Sequence, residues 1–365
     1  MKLNKLLFCV AWASVSPAFA AERFEIGPWK SRAIWTPTST PAPAIIMLPG
    51  SGPNGPQEMI PGAHTTNGKG APLFNQLRIP FEQAHFNVLS LGKPGVEFAD
   101  EESDNITIDP ATWFYDVDLY KGLKWKDLIT NLSAGIEFLR SQPSVDPDRI
   151  YILGHSEGTD VAIDYALSDS RIAGLILLGF SGEDIKTVVE WQLIDRLVDF
   201  FIKTDVDLDQ DAWVTREEAA RWPIHFSWDF SVGGDRVSID EIRSHIAESP
   251  AVRQVLRNFE SSPLYSDGVF NRGPIYEKAA SLPMPLYLFT GDIDLQTPLR
   301  ESEELMRACD RVEKMNCYLE VIPGVGHGFS PPRAPRSHPY LDMTVGPVVS
   351  RVTDLLKEFA MNLVK

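Results

Sequence analysis

Ser156 stands between two glycines in the run Tyr151-Ile-Leu-Gly-His-Ser-Glu-Gly-Thr-Asp-Val-Ala162, and a serine in that setting is a candidate nucleophile. The reason is steric. To carry a hydroxyl to the top of a sheet, the chain must turn sharply from strand to helix with the serine itself strained, and side chains two residues to either side would collide. Gly154 and Gly158 remove that collision, and the first helical turn aims N–H groups at the reacting atom. A neutral hydroxyl is a weak nucleophile, so the chemistry also needs a base to take its proton and a group to orient that base.

The elements that must position Ser156 are readable on both sides of it. Arg149 to Leu153 is β-rich, while Val161, Ala162, Tyr165, Ala166 and Leu167 make the apolar stripe of a helix. Further buried strands are expected at 44–48, 86–91, 172–178, 286–290 and 317–322 from their unbroken apolarity. Helices are expected at 72–84 and 126–142, and from Val348 through Leu363, with an edge hairpin at 23–35 split by Gly27-Pro28. A long loop, 92–124, carries Trp113, Phe114, Tyr115 and Tyr120. Alternating strands and helices predict a mostly parallel sheet with helices on both faces and a site at the carboxyl ends of the strands.

A Gly-x-Ser-x-Gly turn in this context resembles the α/β-hydrolase fold, and the likeness extends over most of the chain. That resemblance implies an acid after a later strand and a histidine after the last one. The loop Gly291-Asp-Ile-Asp-Leu-Gln-Thr-Pro298 is similar to the acid loop of that fold, which makes Asp294 the acid and Asp292 the reserve. His327, set among glycines in Pro323-Gly-Val-Gly-His-Gly-Phe-Ser330, is the expected base. His155, beside the nucleophile, and His338 have no such setting. The glycine-rich loop 49–56 is where the fold places an oxyanion donor: the Ser51 N–H, with Gly52 second, and the Glu157 N–H opposite. The implied activity is a serine hydrolase cleaving carboxylic esters through an acyl-enzyme, with no cofactor for catalysis. A serine peptidase or acyl-aminoacyl peptidase would use the same groups, and a binding protein could keep the fold without catalysis.

Between the strands at 172–178 and 286–290 lies a span too long for a simple crossover. It is assigned to a helical cap at 181–282, leaving 21–180 and 283–365 as the core. Helices are expected at 188–201 and 241–259, with an aromatic cluster of Trp222, Phe226, Trp228 and Phe230. The stretch from Asp207 to Glu218 resembles an EF-hand calcium loop. Asp207, Asp209 and Asp211 stand at its first, third and fifth positions, Trp213 offers a carbonyl, and Thr215 and Glu218 take the ninth and twelfth. Ala212 departs from the pattern, since a glycine normally makes the sharp turn there. The implied ion is a structural Ca2+, and the alternative is an acidic solvated linker.

Residues 1–20 read as a secretory signal peptide: Lys2 and Lys5, an apolar segment at 6–15, and Ala18-Phe-Ala20 as a small-residue cleavage site. The expected protein is exported, periplasmic or secreted. With 50 Asp and Glu against 34 Lys and Arg, nucleic acid and anionic membrane are poor partners, and a small ester or acyl compound fits better. Cys309 and Cys317 remain after processing, and the sequence leaves pairing and two free thiols equally open.

Overall fold

The structure, a computed structural model, describes residues 21–60, 71–99, 115–221, 234–331 and 348–364. The signal segment, Trp113, Phe114, the Trp222–Phe230 aromatic cluster and His338 lie outside these residues.

Eight strands form one sheet: β1 (Glu22–Ile26), β2 (Ser31–Thr36), β3 (Ala42–Leu48), β4 (Asn87–Leu91), β5 (Val145–His155), β6 (Gly174–Leu178), β7 (Leu286–Gly291) and β8 (Cys317–Ile322). Their order is β1-β2-β4-β3-β5-β6-β7-β8. β2 runs antiparallel to both neighbours, and the pairings from β4 through β8 are all parallel. Along β3, Ala44, Ile46 and Leu48 enter one core while Ile45 and Met47 enter the other. That period of two, apolar on both sides, requires cover on both faces of the sheet.

Helices supply it. On one face lie α1 (Trp125–Ser141), which presents Leu128, Leu132, Ile136 and Leu139, and α2 (Glu157–Ala166), which presents Val161, Ala162 and Tyr165. The opposite face is closed by the final helix, whose Val352, Leu356 and Ala360 pack beside Phe81, Phe86 and Phe289. Each fully buried large apolar side chain stabilises the fold by about 1.5–3 kcal/mol relative to exposure.

The segment between β6 and β7 has a core of its own, built around Val198, Ile202, Val206, Val214, Val237 and Ile239. It opens with α3 (Ile185–Glu190), and the chain continues helically through wide i→i+5 turns at Trp191–Asp195 and Val198–Val206. A short antiparallel pair then joins Trp213–Thr215 to Arg236–Ser238. It is followed by α4 (Ile239–Glu248) and α5 (Pro250–Glu260).

Three element boundaries differ from the sequence reading. The helix expected at 241–259 is two, because Ser249 caps the second with its hydroxyl and Pro250 opens it. The helix expected at 72–84 is also two, Leu73–Leu77 and Ile79–Gln83, with Pro80 in the first turn of the second. Within the long loop at 92–124 a short helix, Val117–Gly122, forms on an Asp116 cap. After β7 comes α6 (Leu299–Arg311), and a disulfide joins Cys309 in its last turn to Cys317 at the start of β8. The final helix, α7, is Ser350–Val364.

Candidate active site

β5 ends at His155 and α2 begins at Glu157, so Ser156 alone makes the turn, with φ 53° and ψ −124°. A left-handed φ at a residue with a Cβ is strained, and the surroundings must enforce it. They do. The Ser156 N–H donates to the Leu178 carbonyl of β6 at 2.9 Å. A Cβ on Gly154 would lie 2.3 Å from the Gly158 carbonyl oxygen, and one on Gly158 would lie 2.4 Å from the Leu48 oxygen. Both glycines are therefore demanded by contact. The second brings the first turn of α2 against the loop that leaves β3.

That loop is latched by Asn54, whose side-chain amide donates to the carbonyls of Ser51 at 2.7 Å and Gly50 at 3.2 Å. Gly52 sits at φ +89°, a conformation glycine adopts freely. Across from it, the Glu157 side chain is buried between Lys93 Nζ, at 2.5 Å, and the hydroxyl of Tyr265. The carboxylate thus has a counter-charge and its backbone N–H opens α2.

The structure brings Asp294 and His327 together. His327 Nδ1 lies 2.9 Å from Asp294 Oδ2. The other oxygen, Oδ1, accepts the N–H groups of Gln296 at 2.9 Å and Thr297 at 3.0 Å, and the Thr297 hydroxyl donates to Oδ2 at 3.0 Å. Burial pushes the Asp294 carboxyl up, but the His327 charge and these donors outweigh it and hold the group below its usual range. Asp292 is elsewhere: its exposed carboxylate accepts the Gly324 N–H at 2.7 Å and braces the turn after β8.

Gly179 is where these parts meet. It follows Leu178, which holds the Ser156 N–H, and has φ +55°. A Cβ there would lie 3.1 Å from the His327 ring and 3.2 Å from Asp294 Oδ2. The end of β6 thus lies between the serine turn after β5 and the acid–histidine pair after β7 and β8.

One pair of site residues had no signal in the sequence reading. Glu58, buried at φ 45°, places Oε1 2.7 Å from His155 Nδ1, and the same oxygen accepts the Gly50 N–H at 2.7 Å. The other ring nitrogen of His155 lies 3.0 Å from the His327 carbonyl oxygen. Burial disfavours an imidazolium at His155, yet Glu58 and that carbonyl outweigh it and raise its pKa above the usual histidine range.

An eight-stranded sheet in the order β1-β2-β4-β3-β5-β6-β7-β8, with a strained serine on the turn after β5, decides the architecture. This is the α/β-hydrolase fold. No family model and no curated relative matches the sequence. Among solved structures the chain is similar to an α/β-hydrolase from Penicillium sp. sh18, at 16% identity over 84% of this chain and 90% of that one, with a TM-score of 0.45. It is also similar to a Pyrococcus furiosus esterase, at 15% identity over 95% and 92% with a TM-score of 0.49. A third is carboxyl esterase 2 of Tuber melanosporum, at 12% identity over 96% and 90% with a TM-score of 0.49.

On this α/β-hydrolase frame the β6–β7 insertion is fastened around the site. The Trp191 indole N–H donates to the Leu295 carbonyl at 3.1 Å and the Gln192 amide to that of Gln296 at 3.2 Å, both in the acid loop. Arg272 reaches Asp160 and Asp164 on α2, each at 2.6 Å. Where the insertion departs, the buried Glu301 carboxylate accepts the Gly182 N–H at 2.7 Å.

Within the insertion, Asp207, Asp209 and Asp211 bring one carboxylate oxygen each to within 4.8 Å of one another. Asp207 is buried and accepts the N–H groups of Asp211 at 3.2 Å and Ala212 at 3.1 Å. Ala212 takes φ +69°, the conformation a glycine would supply. Glu218 accepts from the Leu208 N–H through one oxygen and from the Thr215 N–H and hydroxyl through the other. Trp213 and Thr215 lie in the short strand that flanks this loop, and Val214 between them pairs with Val237. Among the described residues no helix is long and apolar enough to cross a membrane.

Proposed function

We propose that the protein is an exported serine hydrolase that cleaves carboxylic esters. The observation that carries this reading is the strained Ser156 turn held by Leu178, next to Gly179, whose position faces the buried Asp294–His327 pair. Ser156 Oγ attacks the ester carbonyl, and His327 takes its proton. Asp294 fixes the imidazole tautomer and stabilises the imidazolium that forms. The N–H groups of Ser51 and Glu157 receive the negative charge that builds on the carbonyl oxygen, a contribution of roughly 2.7–4 kcal/mol per donor. His327 then protonates the departing alcohol, and water, activated by the same histidine, releases the acyl group from Ser156.

The test is covalent labelling with a fluorophosphonate alongside turnover of p-nitrophenyl esters and peptide anilides. Wild type should be labelled and should hydrolyse the esters, and Ser156→Ala should do neither. Faster turnover of anilides would move the assignment to a peptidase or acyl-aminoacyl peptidase. An unlabelled wild type would leave a binding protein on a catalytic fold.

The loop at 207–218 is proposed to hold a structural calcium ion. Three carboxylates crowded within 4.8 Å repel one another, and a hard cation relieves that repulsion while satisfying their oxygens. Asp207, Asp209, Asp211 and the Trp213 carbonyl would hold it, with Thr215 and Glu218 closing the loop. Its contribution is charge neutralisation that stiffens the insertion. No catalytic step uses it.

A further inference from the structure

We propose that Glu58 and His155 form a buried positioning pair that locks the oxyanion loop, the nucleophile turn and the base loop into one hydrogen-bonded unit. The proposal rests on the catalytic reading of Ser156 and His327 given above and extends it to two side chains that touch no substrate.

The connections run in one line. The Gly50 N–H, one residue before Ser51, donates to Glu58 Oε1 at 2.7 Å. His155 Nδ1 meets that oxygen at 2.7 Å, and His155 Nε2 meets the His327 carbonyl at 3.0 Å. The imidazole rings of His155 and His327 lie with centroids 4.7 Å apart. A Cβ on Gly50 would be 3.0 Å from Glu58 Oε1 and equally 3.0 Å from the Ser156 Cβ, so Gly50 lies packed between the carboxylate and the nucleophile turn.

Proton counting fixes the state of the pair. A backbone carbonyl only accepts, so His155 Nε2 carries a hydrogen. A 2.7 Å contact between Nδ1 and a carboxyl oxygen requires a second proton shared between those two atoms. The pair therefore holds two protons with no net charge. Both ring nitrogens of His155 are committed, and it cannot stand in for His327 as a base.

The Glu58 backbone is built to hold this carboxylate in place. Its N–H donates to the Gly55 carbonyl and its own carbonyl accepts the Leu73 N–H, at 3.0 and 3.1 Å. Its φ of 45° is a strain that a residue with a Cβ adopts only when the surroundings enforce it. Among the described residues Oε2 is buried with no hydrogen-bond partner, a cost accepted so that Oε1 can serve both Gly50 and His155.

Three variants test the assignment: Glu58→Gln, His155→Gln and the double substitution. With p-nitrophenyl butyrate each single variant should lose about 100-fold in kcat with KM held within about twofold, because a sub-ångström drift of donors and base affects the transition state more than the bound ester. The double variant should lose no more than the worse single one, as expected for two members of one chain. Proton NMR of the Ser156→Ala protein should show an exchange-protected, strongly downfield resonance from the Nδ1–Glu58 proton, absent after Glu58→Gln. Single variants with unchanged kcat, a fully additive double variant, or the absence of that resonance from Ser156→Ala would each overturn the proposal. Correlating the resonance with the ring nitrogens of His155 separates it from the His327–Asp294 proton, so the NMR measurement decides the matter even if the variants fail to fold. If wild type resists fluorophosphonate, the hydrolase reading falls while the shared proton is still present or absent on its own evidence.

Discussion

The indole N–H of Trp191 donates to the carbonyl of Leu295, the residue directly after Asp294, so the helix that opens the insertion is fixed to the loop that carries the acid. The guanidinium of Arg300 stacks over the same indole at 3.9 Å. Replacing Trp191 with Phe keeps a ring for Arg300 but deletes the donor. The expected cost is about 1 kcal/mol in stability from the orphaned carbonyl, together with a fall in kcat larger than any rise in KM. Chemical denaturation and ester kinetics on one preparation check both.

Asp294→Asn leaves the shape of the acid loop intact while removing the charge that orients His327. Turnover should fall by about 10⁴-fold with the protein still folded, as the wrong imidazole tautomer becomes favoured. Asp292→Asn should retain activity within about twofold, since among the described residues its carboxylate holds only the Gly324 N–H. Equal losses in the two variants would remove Asp294 from its role.

Calcium should be read as a stability effect first. At a free concentration a hundred times Kd the ion adds about 2.7 kcal/mol, so a chelator should lower Tm in wild type and leave an Asp207→Ala variant unmoved. Ala212→Gly should raise affinity, because the chain already holds φ +69° there and glycine does so without strain. Calorimetric titration of calcium into the two proteins measures the difference.

Glu301 is fully buried, and burial outweighs the Gly182 and Glu183 N–H groups and the Arg300 charge, pushing its carboxyl up to about 8. A folded-state pKa above the unfolded one means the native protein binds the extra proton, so the contribution of Glu301 to stability is greatest at low pH and declines as pH rises from about 4.3 toward 8. Glu301→Gln keeps an acceptor for the Gly182 N–H without the titration. Its unfolding free energy should match wild type near pH 4 and exceed it at pH 8, by on the order of 5 kcal/mol. Parallel curves across that range would show that Glu301 does not titrate as described.

Much of the sheet was legible in the sequence because each buried strand is written locally, as an apolar run ended by turn residues. The turn at Ser156 was legible for the same reason, since the clash that excludes a side chain at Gly154 is with Gly158 in the same turn, although the one that excludes a side chain at Gly158 is with Leu48 at the end of β3. Glu58 was not, because its burial depends on His155, 97 positions away, and nothing around Gln57-Glu-Met59 marks a carboxylate destined for the interior. The roles of Lys93 and Tyr265 beside Glu157 were hidden likewise by distance along the chain. The break between α4 and α5 was readable and was missed: Ser249-Pro250 is a cap followed by a helix-opening proline. The disulfide needed the docking of α6 against β8, which brings Cys309 at the end of the helix to Cys317 at the start of the strand.

The attachments of the insertion have a consequence for traffic through the site. Tyr265 grips Glu157, Arg272 bridges two aspartates on α2, and Gly182 is held by Glu301. Swinging this layer aside would strip partners from several buried charges at once, at about 3–5 kcal/mol for each broken pair. On the proposed ester-hydrolase reading the layer acts as a fixed roof and not a hinged door, and the expected outcome is an acyl-length profile that ends in a steep cutoff, with bulky chains turned away instead of admitted slowly.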